Sequence, residues 1–169
     1  MGAFYGFPES GAERGQIRIV PARGPAQIAA VRELIAEYGA ALERDLSFQG
    51  FAEELAGLPG DYAPPRGCLL LALVEDAPAG CVALRAEQGD AAEMKRLYVR
   101  PAHRKLGLGE LLARAILAEA RARGYRRVRL DTLPEMAPAQ ALYRRLGFRA
   151  IPPYYESPIA GTSFLEVEL

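Results

Sequence analysis

Histidine and cysteine are scarce in this chain of 169 residues, which contains one histidine and two cysteines. Zinc sites take several cysteine or histidine ligands at short spacings, and the sequence has no such cluster. Cys68 and Cys81 fall instead in apolar segments with the pattern of strands, where a cysteine is commonly a small buried residue. We therefore expect no metal site.

The chain also lacks an excess of charge of either sign, because 21 lysines and arginines balance 21 aspartates and glutamates. A general attraction to nucleic acid or to an acidic membrane surface is therefore not expected. No apolar run approaches the roughly 20 residues that a membrane-spanning helix needs. The first residues show no signal-peptide pattern, and with only two thiols we expect a cytoplasmic protein.

The chain length suits one domain with a hydrophobic core of its own. Residues 1–16 are rich in glycine and are predicted to be flexible, whereas residues 17–169 carry the periodic patterns of strands and helices. This alternation favours the α/β (α+β) class. The predicted strands are 17–20, 68–74, 80–85, 92–99, 127–132, 148–151 and 162–169. The predicted helices are 25–43, 51–55, 108–123 and a short one around Tyr143, with tight turns at 77–80 and 88–90.

The most informative segment is residues 93–109, which combines a strand, a basic turn with two glycines and the start of a helix. Such a turn brings unpaired backbone N–H groups and the positive end of a helix dipole to one point, where a diphosphate can bind. A side chain at Gly107 or Gly109 would hold the backbone away from the phosphate oxygens. The segment therefore predicts a nucleotide-like cofactor, and a tightly packed turn without a ligand is the alternative.

Two common nucleotide-binding motifs do not fit this segment. A dinucleotide fingerprint needs a third glycine where Leu112 stands, and a Walker loop needs a lysine where Glu110 follows Gly109. The remaining pattern is Arg104-x-x-Gly107-x-Gly109. It resembles the acetyl-CoA loop of the GCN5-related N-acetyltransferases, whose pattern is Gln/Arg-x-x-Gly-x-Gly/Ala.

A second segment adds to this resemblance. Residues 139–148, Ala-Gln-Ala-Leu-Tyr-Arg-Arg-Leu-Gly-Phe, are similar to the family's second signature, Ala-x-x-Leu-Tyr-x-x-x-Gly-Phe. Pro138 suits the first turn of a helix and Gly147 its end. Taken alone, the segment fits equally an ordinary amphipathic helix with a packed tyrosine. Both signatures occur in the family's order with a strand between them, and the resemblance extends over residues 17–169.

The resemblance implies both a fold and a cofactor. The fold is a single N-acetyltransferase domain with a mixed sheet of about seven strands, helices on both faces, and parallel fourth and fifth strands that splay apart. The cofactor is acetyl-CoA (coenzyme A), with its diphosphate on the turn and its pantetheine arm along the fourth strand. The residues that the resemblance assigns to the cofactor are Leu97, Tyr98, Val99, Arg104, Lys105, Leu106, Gly107, Leu108, Gly109, Glu110, Thr132 and Tyr143.

The fourth strand of the family bulges, and the sequence agrees with such a bulge. Ala92 and Met94 share one parity while Leu97 and Val99 share the other, so one inserted residue near 95–96 would bring all four to compatible faces. The alternative is a strand that is buried on both faces, for which parity carries little information.

The implied reaction is the transfer of an acetyl group to a primary amine by direct attack in a ternary complex. Tyr143 matches the family's tyrosine near the thioester sulfur, which protonates the leaving thiolate. Glu93 stands at the offset of a glutamate that is the catalytic base in some members, and a solvated strand residue is the alternative. Met136 departs from the family, because many members have an asparagine there in contact with the cofactor arm. Asp131, Thr132 or main-chain groups would have to replace that contact.

In the family, the acceptor meets the first helices, their connecting loop and the last pair of strands. The candidate substrate-binding residues in these regions are Phe48, Phe51, Tyr62, Tyr154 and Tyr155. With neighbouring carboxylates they would suit a small cationic amine, unless they pack on their own scaffold. An amino acid, a polyamine, an aminoglycoside-like drug and a peptide or protein N-terminus all fit. A non-catalytic acyl-CoA sensor is the rival function, and a homodimer is the expected form of any assembly.

Overall fold

The computed structural model describes residues 16–169, so the predicted flexible segment lies outside the described residues except for Gln16. Within that range, no helix is long and apolar enough to cross a membrane. The strands are β1 (Ile17–Pro21), β2 (Cys68–Val74), β3 (Ala77–Ala86), β4 (Ala91–Val99), β5 (Arg127–Thr132), β6 (Arg149–Ile151) and β7 (Ser163–Glu168). The α-helices are α1 (Pro25–Ala41), α2 (Phe51–Gly57), α3 (Leu108–Ala122) and α4 (Ala137–Arg145).

The strands form one mixed sheet in the order β1-β2-β3-β4-β5-β7-β6. Neighbours are antiparallel except β4 and β5, which are parallel and are joined through α3. A parallel pair needs a long crossover that returns the chain to the same end of the sheet, and a helix supplies it. The predicted α/β (α+β) class, with a seven-stranded mixed sheet between helices, is therefore confirmed.

Helices cover both faces of the sheet, which explains the unbroken apolar run of β2. Leu70 packs in the core that contains Leu112 and Ile116 of α3, whereas its neighbour Leu71 packs in the core that contains Leu34 of α1. Because successive strand residues point to opposite faces, a strand between two helical layers needs apolar residues at both parities.

The turn between β2 and β3 differs from the prediction. It lies at Glu75 and Asp76, whose φ angles are 49° and 66°, whereas the predicted turn residues 77–80 belong to β3. Pro78 has no N–H group to donate, and the register of β2 against β3 shifts beside it. A Cβ at Gly80 would lie 2.6 Å from a carbonyl oxygen of β4. The proline and the glycine therefore accommodate close strand packing rather than a chain reversal.

The parallel pair of β4 and β5 separates after three residue pairs, the last of which joins Glu93 and Arg129. Beyond that point β5 stays paired with β7 up to Thr132, and β4 stays paired with β3 alone. The predicted splay of the fourth and fifth strands is thus confirmed. It leaves one edge of β4 without a strand partner for the rest of its length.

β4 contains the bulge that the family resemblance implies. Relative to β3 it has one extra residue between Lys95 and Tyr98, where Arg96 adopts a left-handed φ of 59°. Leu97 and Val99 consequently pack against the same core as the first residues of the strand. The bulge therefore turns the second half of β4 so that its apolar side chains still face α3.

Candidate active site

A cleft of about 540 Å³ opens where β4 and β5 separate. Residues 94–99 of β4 form one wall and residues 130–133 at the end of β5 form the other. Tyr38 of α1 lies at one side, and Gly109 of α3 and Tyr143 of α4 lie at the other. The cleft thus runs along the unpaired edge of β4, which can hydrogen-bond an extended ligand through its main chain.

The turn between β4 and α3 has free backbone donors. No N–H group from Lys105 to Glu110 donates a hydrogen bond to any of residues 16–169. Gly107 immediately precedes α3 with a φ of 78°, and a Cβ there would meet no protein atom within 4 Å. The backbone conformation, rather than crowding by protein atoms, therefore calls for this glycine. The run of free N–H groups at a helix N-terminus fits the diphosphate of acetyl-CoA.

The side chains that flank this turn are mostly cationic. Arg104 is exposed, donates from Nε to the last carbonyl oxygen of β4 at 3.1 Å, and lies 6.0 Å from the centre of the Tyr98 ring. Lys105 is exposed as well, whereas Glu110 forms an ion pair with Arg114 at 2.7 Å. The uncompensated charge beside the free N–H groups is therefore positive, which favours phosphate oxygens.

Tyr143 lines the cleft on the α4 side. Its side chain is 7% exposed and its ring lies 5.6 Å from that of Phe148. Its hydroxyl makes no hydrogen bond to the described residues, and it opens to the cleft, since no fully buried polar side-chain atom of these residues lacks a partner. Burial raises the pKa of the Tyr143 phenol above its ordinary value, so the hydroxyl keeps its proton at neutral pH. A protonated hydroxyl that is free of protein partners can donate to an atom of a ligand in the cleft.

Glu93 lies beside the cleft but not in its wall. It is 1% exposed, its Oε1 is 2.7 Å from Nη2 of Arg85, and its Oε2 accepts a hydrogen bond of 2.7 Å from the hydroxyl of Tyr154. This burial excludes a solvated Glu93. Both carboxylate oxygens are engaged within the protein, and Tyr154, like Glu93, is not part of the cleft wall.

A buried ion pair that the sequence did not predict connects α2 to the bulge of β4. Arg96 donates to Glu54 from Nε at 2.8 Å and from Nη2 at 3.3 Å, and its Nη1 donates to Gln49 at 3.0 Å. Tyr62, 2% exposed, donates to Oε1 of Glu54 at 2.6 Å, and the ring of Phe51 lies 5.0 Å from the Arg96 guanidinium. Phe51 and Tyr62, predicted to bind the acceptor, thus support this ion pair, which was invisible to local sequence patterns.

The other predicted acceptor residues lie next to the strand gap. The rings of Tyr154 and Tyr155 both pack on Phe164, each with a centroid distance of 5.1 Å. Tyr155 donates a hydrogen bond of 2.7 Å to Oδ2 of Asp131 on β5, and Tyr154 donates one of the same length to Glu93 on β4. Phe48 lies outside the side chains that the structure describes.

Met136, which replaces the family's asparagine, lines the cleft together with Thr132. Thr132 is 2% exposed, and its hydroxyl is 3.7 Å from Sδ of Met136. Gln140 is the nearest amide along α4, but its Nε2 donates to the carbonyl oxygen of Leu133 at 2.8 Å. A bound cofactor arm would therefore depend on main-chain groups at this point.

Lys95 and Asp131 are charged residues of the cleft wall for which the sequence predicted no role in acceptor binding. Each lies two residues beyond the last paired residues, Glu93 and Arg129, and so shares their face of the sheet. The two-residue spacing from Glu93 and Arg129 identifies Lys95 and Asp131, but it can be used only when the pairing of β4 with β5 is known.

The comparisons with known proteins agree with this geometry. The model of the acetyltransferase (GNAT) family matches residues 29–148. An uncharacterised N-acetyltransferase of Schizosaccharomyces pombe is 41% identical over 141 residues, which cover 82% of this chain and 84% of that protein. An acetyltransferase of the GNAT family from Staphylococcus aureus has a TM-score of 0.75 at 19% identity, over 90% of this chain and 99% of the other. The PaiA N-acetyltransferase of Thermoplasma acidophilum, in complex with coenzyme A, has a TM-score of 0.69 at 16% identity, over 91% and 99%.

Proposed function

Because the chain belongs to the acetyltransferase (GNAT) family and is an acetyl-CoA-dependent acyltransferase, we propose that it acetylates a primary amine by direct attack in a ternary complex. The observation that carries this proposal is the cleft itself. It connects the free N–H groups before α3, the unpaired edge of β4 and the Tyr143 hydroxyl in one space. Tyr38, Leu46 and Gln49 line the same space, where an acceptor can lie beside the thioester.

Each group of residues in and beside the cleft would have a separate role in this reaction. The N–H groups of residues 106–109 bind the diphosphate with Arg104 and Lys105 nearby, and the main chain of Leu97 and Val99 holds the extended arm. Acetyl-CoA, when bound, supplies the thioester carbonyl that the amine attacks and the thiolate that leaves. Tyr143 donates a hydrogen bond to that sulfur. Its raised pKa makes complete proton transfer more costly, so hydrogen bonding to the thiolate is its main contribution.

Glu93 remains our proposal for the base, with one constraint from the geometry. Since neither Glu93 nor the Tyr154 hydroxyl bonded to it lines the cleft, a water molecule would carry the proton of the amine to the Tyr154 oxygen while Tyr154 gives its own proton to Glu93. Burial and the Glu93 charge raise the pKa of Tyr154, so the phenol does not ionise on its own and the two transfers must be concerted.

A cytoplasmic location is also a proposal. The two cysteines are free and buried, and burial raises the pKa of Cys68 to about 11 and that of Cys81 to about 12. Thiols of this kind are poorly reactive and persist in a reducing compartment.

The test is release of free thiol from acetyl-CoA with a panel of amines, amino acids, polyamines and peptides, repeated with Tyr143→Phe. We expect this variant to lose about 100-fold or more in kcat, the loss that removal of one hydrogen-bond donor to a developing anion causes, while its affinity for coenzyme A stays within a factor of two or so. Wild-type binding of acetyl-CoA with no turnover on any amine, and no effect of Tyr143→Phe, would favour the non-catalytic sensor instead.

A further inference from the structure

Lys95 is a buried cation without an ion-pair partner in the described chain. Its side chain is 8% exposed, it lines the cleft, and none of the ion pairs among residues 16–169 includes it. Its single hydrogen bond, to Oε1 of Gln49, is 3.5 Å long, and that oxygen also accepts a shorter bond from Arg96. An ammonium group has three N–H donors, so Lys95 has donor capacity left for a ligand.

Asp131 faces Lys95 across the strand gap. The β4–β5 register ends at Glu93 and Arg129, and two further residues along each strand bring Lys95 opposite Asp131 on the same face. The strands have separated there, so a space remains between the two charges. Oδ2 of Asp131 accepts the Tyr155 hydrogen bond, while its other oxygen has no donor among the described residues.

The remaining charges of the cleft wall are neutralised or remote. Arg96 pairs with Glu54 at 2.8 Å, and Glu135 pairs with Arg44 at 2.5 Å. Arg104 lies at the phosphate end. The acceptor end of the described cleft therefore presents one open positive charge, on Lys95, and one open negative charge opposite to it.

We propose that the acceptor is an amino carboxylate, such as an α-amino acid, whose carboxylate binds Lys95 and whose amino group lies against Asp131. This inference rests on the proposed transfer to an amine and names the class of that amine. A zwitterion fits because it satisfies both open charges at once and leaves the cleft neutral. A polyamine would bring only positive charge towards Lys95.

Physical cost also favours a carboxylate partner. Burial lowers the pKa of Lys95, and the charges of Glu93 and Asp131 offset this only in part. A buried ammonium without a close anion is unfavourable, and a bound carboxylate relieves that cost through charge-assisted hydrogen bonds. The hypothesis of a purely cationic amine loses one of the carboxylates near the predicted acceptor residues, because Glu54 is already neutralised by Arg96.

The decisive experiment compares matched acceptors: a set of amino acids, the corresponding amino acid amides, and amines of the same side chain without the carboxylate. We expect kcat/KM for the amino acids to exceed that for the amides by about 10- to 100-fold, the factor that a charge-assisted hydrogen bond supplies. Lys95→Met should remove this preference, so that the ratio of kcat/KM for the amino acids to kcat/KM for the amides falls to about 1. Arg18→Met, which removes a positive charge from β1 away from the cleft, should retain the full preference.

A second measurement does not require turnover. N-acetyl amino acids and their amides are titrated into the protein with coenzyme A present, and the carboxylates should bind at least several-fold more tightly, except in Lys95→Met. Equal use of amides or polyamines, or a preference that survives in Lys95→Met, would overturn the inference while the acetyltransferase proposal stands. Carboxylate binding through Lys95 without acetylation of any amine would support the carboxylate site and count against the proposed reaction.

Discussion

At the scale of single residues, adjacent tyrosines connect to two different carboxylates. The Tyr154 hydroxyl bonds Glu93, which is fully buried beside Arg85, and the Tyr155 hydroxyl bonds Asp131, which lines the cleft. Removing one hydroxyl at a time therefore distinguishes two routes for the proton of the amine. Each substitution is Tyr→Phe and preserves the packing of the ring on Phe164.

We expect Tyr154→Phe to lower kcat by about 100-fold or more, since it interrupts the proposed transfer to Glu93. Tyr155→Phe should mainly raise KM for the amine, because Asp131 loses the hydrogen bond that fixes the position of its carboxylate. The route to Glu93 stays intact in this variant. Steady-state kinetics across a pH series would measure both effects. If Tyr155→Phe were the variant that lost kcat and the acidic limb of the profile, Asp131 rather than Glu93 would be the base.

At the scale of elements, α3 has a left-handed glycine at each end. Gly107 precedes the helix with a φ of 78°, and Gly124 follows it with a φ of 84°. A Cβ at either position would meet no protein atom within 4 Å. The two glycines therefore make equivalent demands on the backbone, but only Gly107 lies beside the free N–H groups.

Gly107→Ala and Gly124→Ala should each lower the free energy of unfolding by about 1–2 kcal/mol, the cost of an L residue in the left-handed region. Only Gly107→Ala should also weaken binding of coenzyme A, because the new methyl group occupies space that the phosphates need. Urea unfolding and calorimetric titration with coenzyme A check the two effects. Equal affinity of both variants for coenzyme A would contradict the proposed phosphate site.

At the scale of the whole molecule, the sheet is joined by few hydrogen-bonded residues between β4 and β5. Three residue pairs join the parallel strands, and the gap beyond them is the cleft. The Arg96–Glu54 ion pair connects α2 to β4 on one side of that gap. Burial alone raises the pKa of Glu54, but the hydrogen bonds and charge of Arg96 outweigh it and hold the pKa below its usual range.

Glu54→Gln should lower the free energy of unfolding by about 3–5 kcal/mol at pH 7, because Arg96 is left buried without a carboxylate. A lowered folded-state pKa means that this stabilisation is present above the unfolded pKa of 4.5 and is lost as pH falls through the folded pKa. The difference from wild type, measured by urea unfolding, should therefore shrink below about pH 4.5. Glu53→Gln, an exposed neighbour in the same helical turn, is the matched control and should change stability little.

Much of the molecule followed from local patterns in the sequence. The strand at 127–132 and the helix that starts at Leu108 were predicted, since periodicity and turn residues act over a few positions. The bulge near residues 95–96 was one of two interpretations that the sequence left open. The predicted position of the β2–β3 turn was wrong, because Pro78 and Gly80 were interpreted as turn residues but lie in β3, where they accommodate contacts with neighbouring strands. The structure also shows the predicted Tyr143 and residues 97–99 in one cleft with the turn before α3.

The sequence by itself determined the family, the fold class and the position of the glycine turn before α3, because short motifs encode glycine conformations and helix starts directly. Only the tertiary structure decided that Glu93 is buried behind Tyr154 and that Arg96 neutralises Glu54. It also brought Lys95 opposite Asp131, residues that are 36 positions apart. Such pairings depend on the strand register and on where β4 and β5 separate, and no local pattern of residues records either.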